Sequence, residues 1–151
     1  MKGEIIMFYD YHMHCNFSPD SKTPIEKMIE TSINLGLQEI CFTDHMDYDV
    51  NQTDKFVVDY EKYLHTLELM QKKYEDKIVK GIELGLQPHL IERYNEDMKK
   101  HKFDFILCSQ HAINKNDLYY DEYFKDKNQH EAYEVYYKTL YDIVKSFNSY
   151  N

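Results

Sequence analysis

Four short apolar runs alternate along the chain with four longer stretches whose apolar residues recur at helical spacing, and this alternation constrains the fold more than any other feature. The first strand-like run is about Ile5 to Tyr11, the second Glu39 to Thr43, the third Ile78 to Glu83 and the fourth Phe103 to Ser109. Between them, Ile25, Met28, Ile29 and Ile33 form one helical stripe, and Gly36 is placed to end that helix. Tyr60, Tyr63, Leu64, Leu67, Met70 and Tyr74 form a second, on a helix over about Asp59 to Glu75. Pro88 opens a third helix, with Leu90, Ile91, Tyr94 and Met98 facing inward. The fourth helix spans about Gln129 to Phe147, with Ala132, Tyr136, Leu140, Ile143 and Phe147 on its buried side. A βαβαβαβα order argues for an α/β fold with parallel strands and right-handed crossovers. The near-continuous apolar character of the fourth strand predicts burial on both faces. A capping box is expected at the first helix, with Thr23 at the N-cap, Pro24 at N1 and Glu26 at N3. Residues 46–58 read as a polar loop, and 112–128 as a long polar and aromatic loop.

Composition narrows the partners. At 151 residues and 42% apolar content, the chain suits a single domain, 1–151, with a substantial core. Its net charge of -9 argues against a nucleic-acid groove or an anionic membrane surface. An anionic substrate stays open, because bound divalent ions reverse the local field. Three cysteines, Cys15, Cys41 and Cys108, sit in unrelated contexts without a Cys-x-x-Cys pair, so reduced thiols in a cytoplasmic protein are expected. The N-terminal apolar stretch is too short for a signal peptide, and no run approaches membrane-spanning length.

Each strand-like run delivers ligand-type residues at its C-terminal end. The first ends in His12-x-His14, which puts two imidazoles on one face of an extended chain, and Asp20 follows in the next loop. The second ends in Asp44-His45, the third in Glu83, and the fourth leads to His111. The C-terminal ends of parallel strands are where α/β sites form. Imidazole and carboxylate together suit zinc, manganese or iron, whereas calcium prefers oxygen alone. Asp44 can either orient His45 from behind or bind metal itself. His65, His89, His101 and His130 lie on helices or their ends and read as packing or solvated residues. Tyr119-Tyr120 and Tyr123-Phe124 follow His111 on the same face, as a lid or as a loop packed for its own stability.

In order and spacing, His12-x-His14, Asp20, Thr43-Asp44-His45, Gly81-Ile82-Glu83 and Ser109-x-His111 resemble the polymerase-and-histidinol-phosphatase (PHP) domain superfamily. Asp10-Tyr11-His12-x-His14 with Phe17-Ser18-x-Asp20-Ser21 is most similar to its histidinol-phosphatase branch. The resemblance implies a distorted seven-stranded (β/α) barrel with up to three divalent metal ions at its C-terminal face. It implies that His12 and His14 hold the first ion, Asp20 and His45 the second, that Glu83 bridges the first and third, and that His111 binds the third. The implied reaction is metal-dependent hydrolysis of L-histidinol phosphate to L-histidinol and phosphate, a step in histidine biosynthesis. The alternatives are a PHP phosphoesterase of other specificity, or a metal-binding fragment without activity. The family's later Gly-His and Asp-x-His motifs are absent from this sequence. The expectation is therefore about four β/α units, from a truncated frame, a fragment, or half of an assembly that pairs with another chain or with itself. Such a half barrel leaves sheet edges open.

Overall fold

A computed structural model describes residues 8–51 and 56–150. The expected start of the first strand, Ile5 to Met7, lies outside the described residues. Strand β1 (Phe8–Met13) is followed by helix α1 (Ile25–Asn34), β2 (Leu37–Phe42), β3 (His45–Met46), α2 (Tyr60–Tyr74), β4 (Ile78–Gly85), α3 (Ile91–Lys100) and β5 (Phe105–Ser109). A two-stranded hairpin, β6 (Ala112–Ile113) and β7 (Asn116–Asp117), precedes α4 (Gln129–Ser146). The α/β reading with parallel strands holds. β1 pairs with β2, β2 and β3 with one side of β4, and β5 with its other side, all in parallel.

β4 is the strand on which the sheet is assembled. β2 pairs with its first half through Ile40↔Ile78, Cys41↔Val79 and Phe42↔Lys80. β3 pairs with its second half through His45↔Glu83 and Met46↔Leu84 at the same offset, so β2 and β3 are one line of chain interrupted at Thr43-Asp44. Gly81 sits beside that interruption. A Cβ there would stand 2.4 Å from Cys41 Sγ and 2.6 Å from the Phe42 carbonyl oxygen. The strand therefore needs a residue without a side chain for the two lines to approach.

The helices lay most of their expected stripes on this sheet, though Ile33 of α1 is exposed. Ile25 and Ile29 of α1, Tyr60, Tyr63, Leu67 and Met70 of α2, and Ile91, Tyr94 and Met98 of α3 are buried. They join Phe42, Met46, Ile82, Leu84 and Leu86 in one core. Ile143 and Phe147 of the α4 segment also reach it, while Ala132 belongs to a small second cluster with Ile113 and Tyr123. No helix among the described residues is long and apolar enough to cross a membrane.

Several sequence expectations are corrected. α1 has no capping box; Pro24 stands in extended geometry at the N-cap without a side-chain bond. The helix begins at Ile25, so Thr23 lies before the N-cap and serves the preceding loop: its N–H donates to Ser21 Oγ at 3.4 Å, its carbonyl accepts from the Asn16 N–H at 3.0 Å, and a residue before proline is held extended. The capping box belongs to α4, where Asn128 and Glu131 satisfy each other's backbone N–H groups. Pro88 opens a short 3₁₀ turn, Pro88–Leu90, before α3 begins. The loop expected over 46–58 begins inside β3, and the loop over 112–128 contains the β6–β7 hairpin, turned by Asn114 and Lys115 at positive φ. β5 is only partly buried along its whole length, because it pairs on one side alone among the described strands.

Gly81→Ala is expected to lower the unfolding free energy by about 1–3 kcal/mol through overpacking against Cys41 and Phe42. Urea denaturation followed by circular dichroism measures it.

Candidate metal centre

β1 delivers the first two imidazoles. Met13 packs into the core, so His12 and His14 on either side of it turn the other way, toward β4. The chain beyond His14 is clamped. Fully buried Asp44 accepts from the Cys15 N–H at 2.9 Å and from the Cys15 thiol at 3.1 Å. Burial pushes the Cys15 thiol pKa up, and the neighbouring Asp44 charge adds to it, so the sulfur keeps its proton and remains a donor. Asp44 thus braces the His14 side of the site, rather than reaching the His45 ring that precedes β3's Met46. The Asp44 N–H in turn donates to the Tyr63 hydroxyl at 3.1 Å.

The loop after Cys15 brings in Asp20. It is folded by Ser18 N–H to the Cys15 carbonyl and Ser21 N–H to the Ser18 carbonyl, and the buried Ser18 hydroxyl accepts from the His45 N–H at 2.8 Å. Asp20 Oδ2 then lies 2.8 Å from His14 Nδ1 and 3.3 Å from His45 Nε2.

Glu83, at the register partner of His45 on β4, is the centre of the cluster and 2% exposed. Its Oε2 lies 3.1 Å from His12 Nε2, 2.9 Å from His14 Nε2 and 3.7 Å from His45 Nδ1. Its Oε1 accepts from the Ser109 hydroxyl at 2.6 Å and lies 3.0 Å from His111 Nε2. All six ligand-type residues expected from the sequence, His12, His14, Asp20, His45, Glu83 and His111, therefore converge. Their imidazoles stand side by side, with centroids 5.1 Å apart for His12–His14, 4.5 Å for His14–His45 and 4.9 Å for His45–His111.

Two further residues were not expected. Asp47, 6% exposed, lies in the stretch read as a polar loop, and its Oδ2 is 2.8 Å from His111 Nδ1 and 3.6 Å from His45 Nδ1. The signal was present: His45-x-Asp47 has the same i, i+2 spacing as His12-x-His14, with buried Met46 between. Gly85 makes room for it, since a Cβ there would stand 2.2 Å from Asp47 Oδ1. Ser109 is the second: its hydroxyl holds Glu83 in place.

The electrostatics are those of a site built for positive charge. Burial works against a charge on His14, yet Glu83 and Asp20 outweigh it and lift its pKa to about 9. Burial is likewise overcome at His111, where Asp47 and Glu83 raise the pKa to about 10. Glu83 is driven well below the usual carboxylate range despite its burial, by His111, His14 and Ser109; Asp47 is lowered by His111 and His45. Several buried polar atoms still lack a hydrogen bond: His14 Nε2, His45 Nδ1 and Asp47 Oδ1. His14 Nε2 is close to Glu83 yet not aligned as a donor to it. Three sets, His12/His14/Glu83, His14/Asp20/His45 and His45/Asp47/His111, each hold ligand atoms within 4.8 Å of one another. Nitrogen and oxygen donors converging, with His14 Nε2, His45 Nδ1 and Asp47 Oδ1 still unpartnered, fit a borderline divalent ion.

The family model of the PHP domain matches residues 10–150. The chain belongs to the PHP domain family. Its PHP segment is 33% identical over 145 residues to histidinol-phosphatase of Lactococcus lactis subsp. lactis (strain IL1403), covering 94% of this chain and 54% of that one. It is 34% identical over 136 residues to a probable histidinol-phosphatase of Clostridium acetobutylicum, covering 89% of this chain and 51% of the relative. The crystal structure of histidinol phosphate phosphatase from L. lactis, complexed with zinc, L-histidinol and phosphate, superposes with a TM-score of 0.86 at 33% identity, over 95% of this chain and 55% of that one. This PHP chain thus spans about half the length of the relatives it matches, and its fold is that half of the barrel.

Asp47→Asn is expected to lower the His111 pKa from about 10 toward the ordinary histidine value, because the carboxylate that stabilises the imidazolium is gone. An NMR titration of the metal-free protein measures it.

Proposed function

We propose that this PHP chain carries the metal-binding half of a phosphomonoesterase acting on L-histidinol phosphate, in histidine biosynthesis and in the cytoplasm. The single observation that carries the reading is the buried Glu83 carboxylate, which shares its two oxygens among His12, His14 and His111 at the C-terminal ends of the parallel strands β1, β4 and β5. The likeness to a phosphatase crystallised with zinc, L-histidinol and phosphate supports the substrate. The free thiols of Cys15, Cys41 and Cys108 support a reducing compartment. The acidic balance favours a small phosphate ester over a polynucleotide.

In this reading, His12 and His14 would hold a first ion, Asp20 and His45 a second, His111 a third, and Glu83 would serve both the first and the third. Zinc, manganese or iron suits these donors. When bound, such ions acidify water and neutralise charge on a phosphoryl group. The chain's own side chains supply orientation. Ser109 fixes Glu83 Oε1, Asp44 fixes the backbone that carries His14, and Asp47 fixes the tautomer of His111 by taking its Nδ1 proton in a hydrogen bond, so that Nε2 faces the centre. Protons and metal compete for the same nitrogens, so metal uptake releases protons and weakens as pH falls through the raised pKa values of His14 and His111.

A second reading is favoured by one observation: the chain spans about half of its relatives, and among the described strands β1 pairs on one side alone, with Phe8 and Tyr9 more than half exposed. Under it, domain 1–151 binds metal but turns over ester only with a complementary polypeptide or a second copy.

Metal analysis and phosphate release from L-histidinol phosphate test both readings on the purified, zinc- or manganese-loaded chain. Near-stoichiometric binding of more than one ion with turnover is expected under the first reading, and metal without turnover under the second. Absence of both overturns the proposal. Glu83→Gln is expected to reduce metal content and to lower any turnover by about 100-fold or more. Isothermal calorimetry of zinc uptake, run in buffers of different ionisation enthalpy, is expected to show proton release.

A further inference from the structure

A cavity of about 600 Å³ opens directly beside the centre, within the size range of small-molecule sites. His45, Asp47 and His111 of the centre line it together with the aromatic residues Phe56, Tyr119 and Tyr120. These aromatics are tied to the centre. The Phe56 ring meets the His45 ring edge-on at 5.0 Å, and the Phe56 carbonyl accepts from the Asp47 N–H at 2.6 Å. The β6–β7 hairpin carries the chain away from His111 and back again: the Leu118 N–H donates to the His111 carbonyl at 2.9 Å. The next two residues are the tyrosines. Asp117 Oδ1 accepts from the Tyr119 N–H at 2.8 Å, the Asp117 carbonyl accepts from the Tyr120 N–H at 3.3 Å, and the two rings meet edge to face at 5.3 Å. Tyr119 is nevertheless 88% exposed, so it contributes little to the core. Neighbouring Tyr123, by contrast, is buried and bonded to the Ala132 carbonyl. Tyr123 is thus structural, whereas Tyr119 and Tyr120 line the cavity. Gln110 also borders it, and both its carboxamide atoms are buried without a hydrogen-bond partner.

We propose that Tyr119 and Tyr120 are specificity-determining residues: with Phe56 they form an aromatic wall that grips a flat, cationic ring on the alcohol side of the ester. The proposal rests on the phosphomonoesterase reading of the centre. A phosphoryl group engaged at the imidazole cluster leaves its alcohol in the adjacent cavity. Aromatic faces bind flat rings and cations, and Phe56, Tyr119 and Tyr120 all line this cavity. An aliphatic alcohol of equal size gains less from this wall.

Calorimetric binding of L-histidinol, of L-leucinol and of inorganic phosphate to the zinc-loaded chain tests the wall. The wild type is expected to prefer L-histidinol over L-leucinol. The double variant Tyr119→Ala/Tyr120→Ala is expected to lose roughly fivefold or more in L-histidinol affinity, with L-leucinol and phosphate affinities changed by less than about twofold and zinc content unchanged. Tyr119→Phe, which keeps the ring, is expected to retain affinity. A wild type that binds phosphate but does not discriminate between the two alcohols overturns the wall and leaves the phosphatase reading standing. So does a double variant whose preference is intact, or one that loses both alcohols equally. A wild type that binds zinc but neither phosphate nor either alcohol overturns both.

Discussion

A carboxylate buried in the middle of a parallel sheet has no solvent to hold its charge, and the architecture around Glu83 answers that constraint. An isolated buried carboxylate costs several kcal/mol or neutralises itself by taking up a proton. Glu83 stays ionised because β1, β3 and β5 each place a partner beside it: His12 and His14, His45, and Ser109 with His111. The sheet order, with β4 between the β2–β3 line and β5, is what makes this possible. The same charge holds the His14 and His111 pKa values up, so the cluster is either a lattice of imidazolium and carboxylate or, with those protons displaced, a cage for divalent ions.

Around this centre lies a second layer whose work is positioning. Asp44 does not reach into the cluster; it clamps Cys15 and thereby the turn that presents His14. Ser18 ties the Asp20 loop to the His45 backbone, and Asp47 grips His111 from behind. Gly85 is required because Asp47 occupies the space a side chain would take. Imidazoles held from both sides lose little freedom when an ion arrives, which is how supporting shells raise metal affinity.

The chain spans about half the length of the relatives it matches, yet the residues that converge on Glu83 all lie within it. In parallel α/β folds each strand contributes its own C-terminal tip, so a run of consecutive units assembles a contiguous part of the site. Among the described strands, β1 and β5 each pair on one side alone, and Phe8 and Tyr9 of β1 are exposed.

Much of this was legible from the amino-acid order alone. Period and punctuation determined the alternation of strands and helices, the buried stripes of α2 and α3, and the placing of His12, His14, Asp20, His45, Glu83 and His111 at strand ends, because strand and helix periodicities are local properties of a sequence. What remained hidden depends on distant partners. The Thr23 capping box was lost to a loop contact with Asn16, the two-sided burial of β5 to its place in the sheet, and the role of Asp47 to a stretch that looked merely polar. Only the tertiary structure decided that Asp44 serves Cys15, that Ser109 serves Glu83, and that Tyr119 and Tyr120 stand beside the centre while Tyr123 is buried. A hydrogen bond between residues tens of positions apart is set by sheet register and loop path, and neither is written in the spacing of one segment.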